Sequence, residues 1–183
     1  YKNFFIANLD TSDNLLEIAI EEDGPSDDPK TTFFRYKDEK ITKLGTIEGN
    51  SHHFLSEQFF KINGDGTITT RKRGEILQTW FYTAKYKLTS NNIQYIDSKF
   101  KYMNTRVTLK CDLPIYKGID NREVIKVIEK NDSALLRKTD NKSWVEIVTQ
   151  EGIEGWIEVD HVRIIQNNGK PSTRVFDGLH SAD

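Results

Sequence analysis

Few residues in this 183-residue chain have the types and spacing that chemistry needs. Nucleophilic catalysis requires a thiol or hydroxyl beside a base, with a third group to orient that base. Cys111 is the single cysteine. It ends the alternating run Thr105-Arg106-Val107-Thr108-Leu109-Lys110-Cys111, with no helix start or basic setting to favour a thiolate, and reads as a residue at a strand edge. No intrachain disulfide is possible with one cysteine. Neither a Gly-x-Ser-x-Gly elbow nor a phosphate-binding glycine loop occurs. The histidines are His52, His53, His161 and His180, without a His-Glu-x-x-His pair. On a strand His52 and His53 would face opposite sides, and all four read as surface residues. The carboxylate pairs Glu21-Glu22 and Asp27-Asp28 lie in a polar, turn-rich stretch and read as solvated loop charge. No catalytic residue is assigned, and the chain reads as non-enzymatic.

Two groups remain that could bind something. Asp10, Ser12, Asp13 and Glu17 are four oxygen-bearing side chains within Asn8-Leu9-Asp10-Thr11-Ser12-Asp13-Asn14-Leu15-Leu16-Glu17. Taken by themselves they read as an Asx-type turn that staples two strands. Tyr116, Trp144 and Trp156 are aromatics at or near the starts of strand-like runs. They read as a candidate stacking surface, or as core or domain-interface residues.

Bulk properties exclude some partners. Lys and Arg total 26 against 28 Asp and Glu, for a formal net charge of -2. That balance does not suit phosphate-backbone binding. The one basic cluster, Arg71-Lys72-Arg73, reads as an exposed strand or turn face, and no nucleic acid is expected. No apolar run approaches the roughly 18 residues of a spanning helix, so no membrane span is expected. The first residue is Tyr1 with no signal-peptide pattern, which reads as a processed or excised chain.

The elements that must position these groups are strands. Alternation rich in Thr, Val, Ile, Tyr, Phe and Trp marks residues 67–73, 80–88, 105–111 and 144–148. Turn signals separate them at 23–30, 63–66, 89–92, 117–121 and 138–142. The expected fold class is all-β. Residues 121–130 are open between helix and strand, with Val124, Ile125, Val127 and Ile128 favouring extended backbone. The first hundred residues read as two blade-like units, about 1–48 and 53–100, each an apolar strand, an Asp-containing turn, a second strand and a hairpin. A break is expected near Met103-Asn104. The domains read as 1–104, 105–166 and a tail, 167–183, whose Val175, Phe176 and Leu179 fold back or stay disordered.

Three ordered motifs carry a resemblance: Leu113-Pro114-Ile115-Tyr116, then Trp144-Val145-Glu146-Ile147, then Gly152-x-x-Gly155-Trp156-Ile157. Residues 106–166 resemble a bacterial Src-homology-3-like (SH3-like) domain, which implies a small barrel that binds peptide or cell wall or packs beside another domain. In that setting Gly152 and Gly155 are expected to supply positive φ values, with Glu146 and Glu158 on outward positions. The stretch 8–20 and, less specifically, Asn63-Gly64-Asp65-Gly66 resemble FG-GAP or propeller-like repeats, which implies a calcium loop at Asp10, Ser12, Asp13 and Glu17. The loop departs from that pattern: Ser12 replaces a carboxylate and the turn glycine is missing. The whole chain looks like a two-part arrangement of secreted or lipid-anchored proteins of Gram-positive bacteria. The resemblance implies an extracytoplasmic binding or scaffolding module, a propeller-like β-repeat region before an SH3-like barrel, with peptidoglycan or an envelope peptide as partner. The alternatives are the targeting portion of a cell-wall hydrolase and an interaction protein whose open sheet docks onto further repeats.

Overall fold

The computed structural model describes residues 2–24, 29–49 and 60–180. His52, His53, Asp27 and Asp28 lie outside the described residues. The architecture is all-β, as the alternation requires. The chain divides into two compact units, and the division is not sequential. The first unit holds residues 1–72 and 83–97, and the second holds 73–82 and 98–183.

In the first unit β1 (Lys2–Ala7), β2 (Glu17–Glu22), β3 (Lys30–Lys37) and β4 (Lys40–Glu48) form an antiparallel sheet in chain order. A second sheet follows the same scheme with β5 (Phe60–Ile62), β6 (Thr67–Arg73), β7 (Phe81–Leu88) and β8 (Ile93–Ile96). Period-two alternation gives each sheet one buried face. Ala19, Phe33, Leu44 and Ile47 are buried in the first, and Phe60, Ile68, Ala84 and Tyr86 in the second.

The two Asp-containing turns follow one plan. Asn8-Leu9-Asp10-Thr11-Ser12 and Asn63-Gly64-Asp65-Gly66-Thr67 share the spacing Asn-x-Asp-x-Ser/Thr. Asp10 and Asp65 pair as an isolated antiparallel bridge. The Thr11 N–H donates to the Gly64 carbonyl and the Gly66 N–H to the Leu9 carbonyl, both at 2.8 Å. Exchanging the two turns maps each bond onto the other, so the turns are related by a local two-fold axis.

The second unit contains β9 (Lys101–Leu109), β10 (Leu113–Gly118), β11 (Asn121–Ile128), β12 (Ser133–Thr139), β13 (Trp144–Thr149), β14 (Glu154–Asp160), β15 (Arg163–Ile164), β16 (Lys170–Pro171) and β17 (Phe176–Asp177). The sheet path is open, in the order β11-β10-β14-β13-β12-β9-β17, with β15 on β14 and β16 on β15. Residues 121–128 are a strand, and the β-branched side chains prevail over the weak helical periodicity. Val175 and Phe176 are buried with Leu109, Leu136, Ile147 and Ile157, and Leu179 packs against that core. Met103-Asn104, the expected break, falls inside β9. There Asn104 takes a left-handed φ of 50°, and the β9–β12 pairing slips register opposite it. The chain passes from the first unit to the second between residues 97 and 98, a few residues before that expected break.

Gly155 differs from its expected role. Gly152 does take a positive φ, 82°, in the turn before β14. Gly155 is extended, and what it supplies is room: a Cβ there would lie 2.6 Å from Ile115 Cδ1. Ile115 is fully buried, so the glycine allows β14 to lie directly over the core.

Candidate functional site

Alternation along β13 and β14 sends Val145, Ile147, Ile157 and Val159 into the core of the second unit. Trp144, Glu146, Trp156 and Glu158 therefore share the opposite face. Register brings these rows together. Tyr116 on β10 lies directly opposite Trp156, Trp156 opposite Glu146, and Trp144 opposite Glu158. The Tyr116 and Trp144 rings are tilted with centroids 6.4 Å apart. The three aromatics picked from the sequence thus share one half-buried patch.

Neighbouring groups fix the rings. Asp140 Oδ1 accepts the backbone N–H groups of Lys142, Ser143 and Trp144, each at 2.9 Å. Thr139 Oγ1 donates to the Trp144 carbonyl at 2.6 Å. This turn sets the angle at which Trp144 enters β13. Gln166 Nε2 donates to the Trp156 carbonyl, and its Oε1 accepts the Glu158 N–H.

Three further residues complete the patch, none singled out from the sequence. Phe100 lies against Trp156 with centroids 5.5 Å apart. Lys138 Nζ sits over both rings, 5.2 Å from the Phe100 centroid and 5.8 Å from that of Trp156. The Arg122 guanidinium lies 6.0 Å from the Trp144 centroid and donates to Glu158 at 2.7 Å. Strict alternation would send Lys138 inward. A register slip between Leu136 and Lys138 turns it outward, where it pairs across with Glu146.

Glu146 occupies an outward position, as expected, yet is only 4% exposed. Arg137 Nε and Lys138 Nζ cover its carboxylate, the second at 3.2 Å. Arg137 also reaches Glu154 at 2.7 Å. Hydrogen bonds to Glu154 and then Glu146 hold the Arg137 guanidinium protonated well above its ordinary range. The same bond from Arg137 draws the Glu154 carboxyl below its usual value. The face is therefore an aromatic cluster with two cations over its rings and a buried carboxylate anchoring one of them. Such a surface can stack on flat or ring-shaped groups and offer hydrogen bonds at its rim. No nucleophile–base pair is part of it.

The four oxygen ligands proposed for calcium are engaged otherwise. Asp10 Oδ1 accepts the Ser12 N–H at 2.9 Å and the Ser12 hydroxyl at 2.6 Å. Asp13 Oδ1 accepts the Leu15 N–H at 2.8 Å. Glu17 Oε2 accepts the Leu9 N–H at 3.2 Å, while its Oε1 takes Nε and Nη2 of Arg35 at 3.0 and 2.7 Å. Asp10 and Asp13 form Asx-type turns, and Glu17 forms a buried ion pair with Arg35. Among the described residues no group of three or more His, Cys, Asp or Glu could hold a metal ion.

Among the described residues, the other candidates for chemistry lie outside this patch. Cys111 is half-buried and its sulfur accepts from Asn167 Nδ2 at 3.3 Å. His161 and His180 are exposed. Lys72 of the basic cluster pairs with Glu48 at 3.1 Å. Among the described residues no helix is long and apolar enough to cross a membrane.

The fold and site together define an all-β protein with an aromatic–cationic patch on one sheet. Comparison with protein-family models, curated proteins and solved structures finds no match to the chain.

Proposed function

We propose that this chain is a non-enzymatic binding or scaffolding module that works outside the cytoplasm, with the patch around Tyr116, Trp144 and Trp156 as its recognition surface. One observation carries the reading. Three aromatics spread over forty residues of sequence meet on one sheet face, joined by Phe100 and two ring-covering cations. The ligand class is peptidoglycan or a peptide of the cell envelope. Its sugar rings would stack on the indoles, and its amides and carboxylates would meet Arg122, Lys138 and Glu158. The envelope setting, and the assignment of residues 106–166 to an SH3-like barrel, rest on the motif resemblance. A role as the targeting part of a cell-wall hydrolase uses the same surface. Retention of the protein on purified peptidoglycan, and release by Trp144→Ala or Trp156→Ala, tests it.

A second reading has its own observation. The outer face of the first sheet is apolar: Phe4 is 73% and Ile6 71% exposed, with Tyr36 and Ile41 exposed beside them. Cross-strand pairing continues the stripe through Ile18, Ile20 and Phe34. Such a stripe suits a scaffold whose open sheet docks onto further β-repeats. Sedimentation velocity reads this directly, through concentration-dependent association that Ile6→Lys abolishes. A strictly monomeric parent protein contradicts it.

A further inference from the structure

The tip of the β6–β7 hairpin belongs to a different unit from the strands that carry it. Residues 73–82 lie in the second unit, and the chain on either side lies in the first. The tip reads Gly74-Glu75-Ile76-Leu77-Gln78-Thr79-Trp80, with two consecutive large aliphatics where a turn normally carries polar residues. Ile76 and Leu77 are each 3% exposed and share a core cluster with Leu109, Leu136, Val159 and Phe176.

The backbone of the tip is tied down as well. Leu77 is held in a left-handed conformation, φ 65°, which a leucine adopts only under constraint. Its N–H donates to the His161 carbonyl at 2.7 Å, and the Thr79 N–H donates to the His180 carbonyl at 3.0 Å. The Glu75 N–H donates to Asn141 Oδ1 at 2.8 Å. These acceptors come from the β12–β13 turn, the β14–β15 turn and the C-terminal segment, three places far apart in sequence. The tip also braces itself. The Trp80 indole N–H donates to the Ile76 carbonyl at 2.8 Å, and the Gly74 N–H to the Trp80 carbonyl at 2.9 Å. A Cβ on Gly74 would fall 2.0 Å from the indole, so only glycine admits Trp80 at this neck.

We propose that residues 73–82 are an obligatory plug for the second unit, which holds its fold only while the tip is docked. The sheet path of that unit is open, and its core counts Ile76 and Leu77 among its members. Without them the core keeps an unfilled apolar cavity, and the amide acceptors of two turns lose their donors. The unit is thus a domain completed by a segment from elsewhere in the chain, and the motif-bearing stretch 106–166 is not a free-standing module.

Hydrogen exchange on the full-length chain tests this. In the parent protein the amides of Glu75, Leu77 and Thr79 exchange through the same opening as those of β12–β14, with the same dependence on low concentrations of denaturant. Tip amides that open on their own, at least about tenfold faster, while β12–β14 stay protected, overturn the proposal. In the Leu77→Ala variant the amides of β12–β14 exchange about 30-fold faster or more, and those of β1–β4 keep their parent rates. Parent-like rates in β12–β14 of that variant overturn it too.

Discussion

Glu17 offers the most exacting test of how the first unit holds together. Its side chain is 1% exposed and that of Arg35 is 11% exposed, with 2.7 Å between them. Both carboxylate oxygens are in use, one on Arg35 and one on the Leu9 N–H. Glu17→Ala leaves a nearly buried guanidinium with the Ser90 carbonyl, at 3.2 Å, as its remaining hydrogen-bond acceptor among the described residues, and strips the Leu9 N–H of its acceptor. Breaking a buried, hydrogen-bonded pair from one side costs about 3–5 kcal/mol. With a urea dependence of about 2 kcal/mol per molar, the unfolding midpoint falls by about 2 M. Far-UV circular dichroism against urea measures the shift, and hydrogen exchange locates it in β1–β4. Glu17→Gln keeps an acceptor for Leu9 and loses the charge, so it falls between parent and Glu17→Ala. The double variant Glu17→Ala/Arg35→Ala loses less than the sum of the single changes, because no charge is left stranded. A midpoint shift below about 0.3 M for Glu17→Ala would refute the reasoning.

Three other outcomes follow from the same geometry. Gly155→Ala forces a methyl group against the buried Ile115, and thermal denaturation should show a loss of about 1–3 kcal/mol, whereas Ile115→Val in the same background recovers part of it. Hydrogen bonds, first from the Ser12 and Thr67 hydroxyls and then from their backbone N–H groups, hold the Asp10 and Asp65 carboxyls below the ordinary 3.8. The unfolded chain therefore takes up these protons first on acidification. The stabilisation is complete above about pH 5 and disappears as pH falls through the depressed folded values, so Asp10→Asn/Asp65→Asn flattens the acid limb of a stability-against-pH curve. Millimolar calcium or a chelator should leave the melting temperature within about 1 °C, since Asp10, Asp13 and Glu17 are engaged with protein donors; a calcium-dependent rise of several degrees would restore the ion site.

Much of the strand pattern was legible because period-two alternation is strong wherever one face of a sheet is buried. The aromatic patch was legible in part. Trp144 and Trp156 occupy regular outward positions on neighbouring strands, whereas Tyr116 lies between two register shifts of β10 against β11 that no local pattern announces. Lys138 was hidden by a register slip that inverts its expected direction, and Phe100 precedes β9 with no periodic signal around it. Glu146 shows a different limit: alternation fixes the side of the sheet, but burial depends on two cations from β12. Arg35, the real partner of Glu17, lies on another strand at a spacing no local motif encodes. The hairpin tip was hidden for a similar reason. Gly74 to Thr79 lies between two strand-like runs with no pattern of its own, and tertiary packing shows that Ile76 and Leu77 fill a core built by residues 107–176.

The central claim is that the Tyr116–Trp144–Trp156 face binds an envelope ligand. Co-sedimentation isotherms with purified peptidoglycan test it most directly, run on the parent protein and on Trp144→Ala/Trp156→Ala with folding verified by circular dichroism. The account predicts saturable binding by the parent and a loss of affinity of about 30-fold or more in the folded variant, the scale of removing buried aromatic anchors. Equal binding by both proteins, or no binding by the parent, would contradict it.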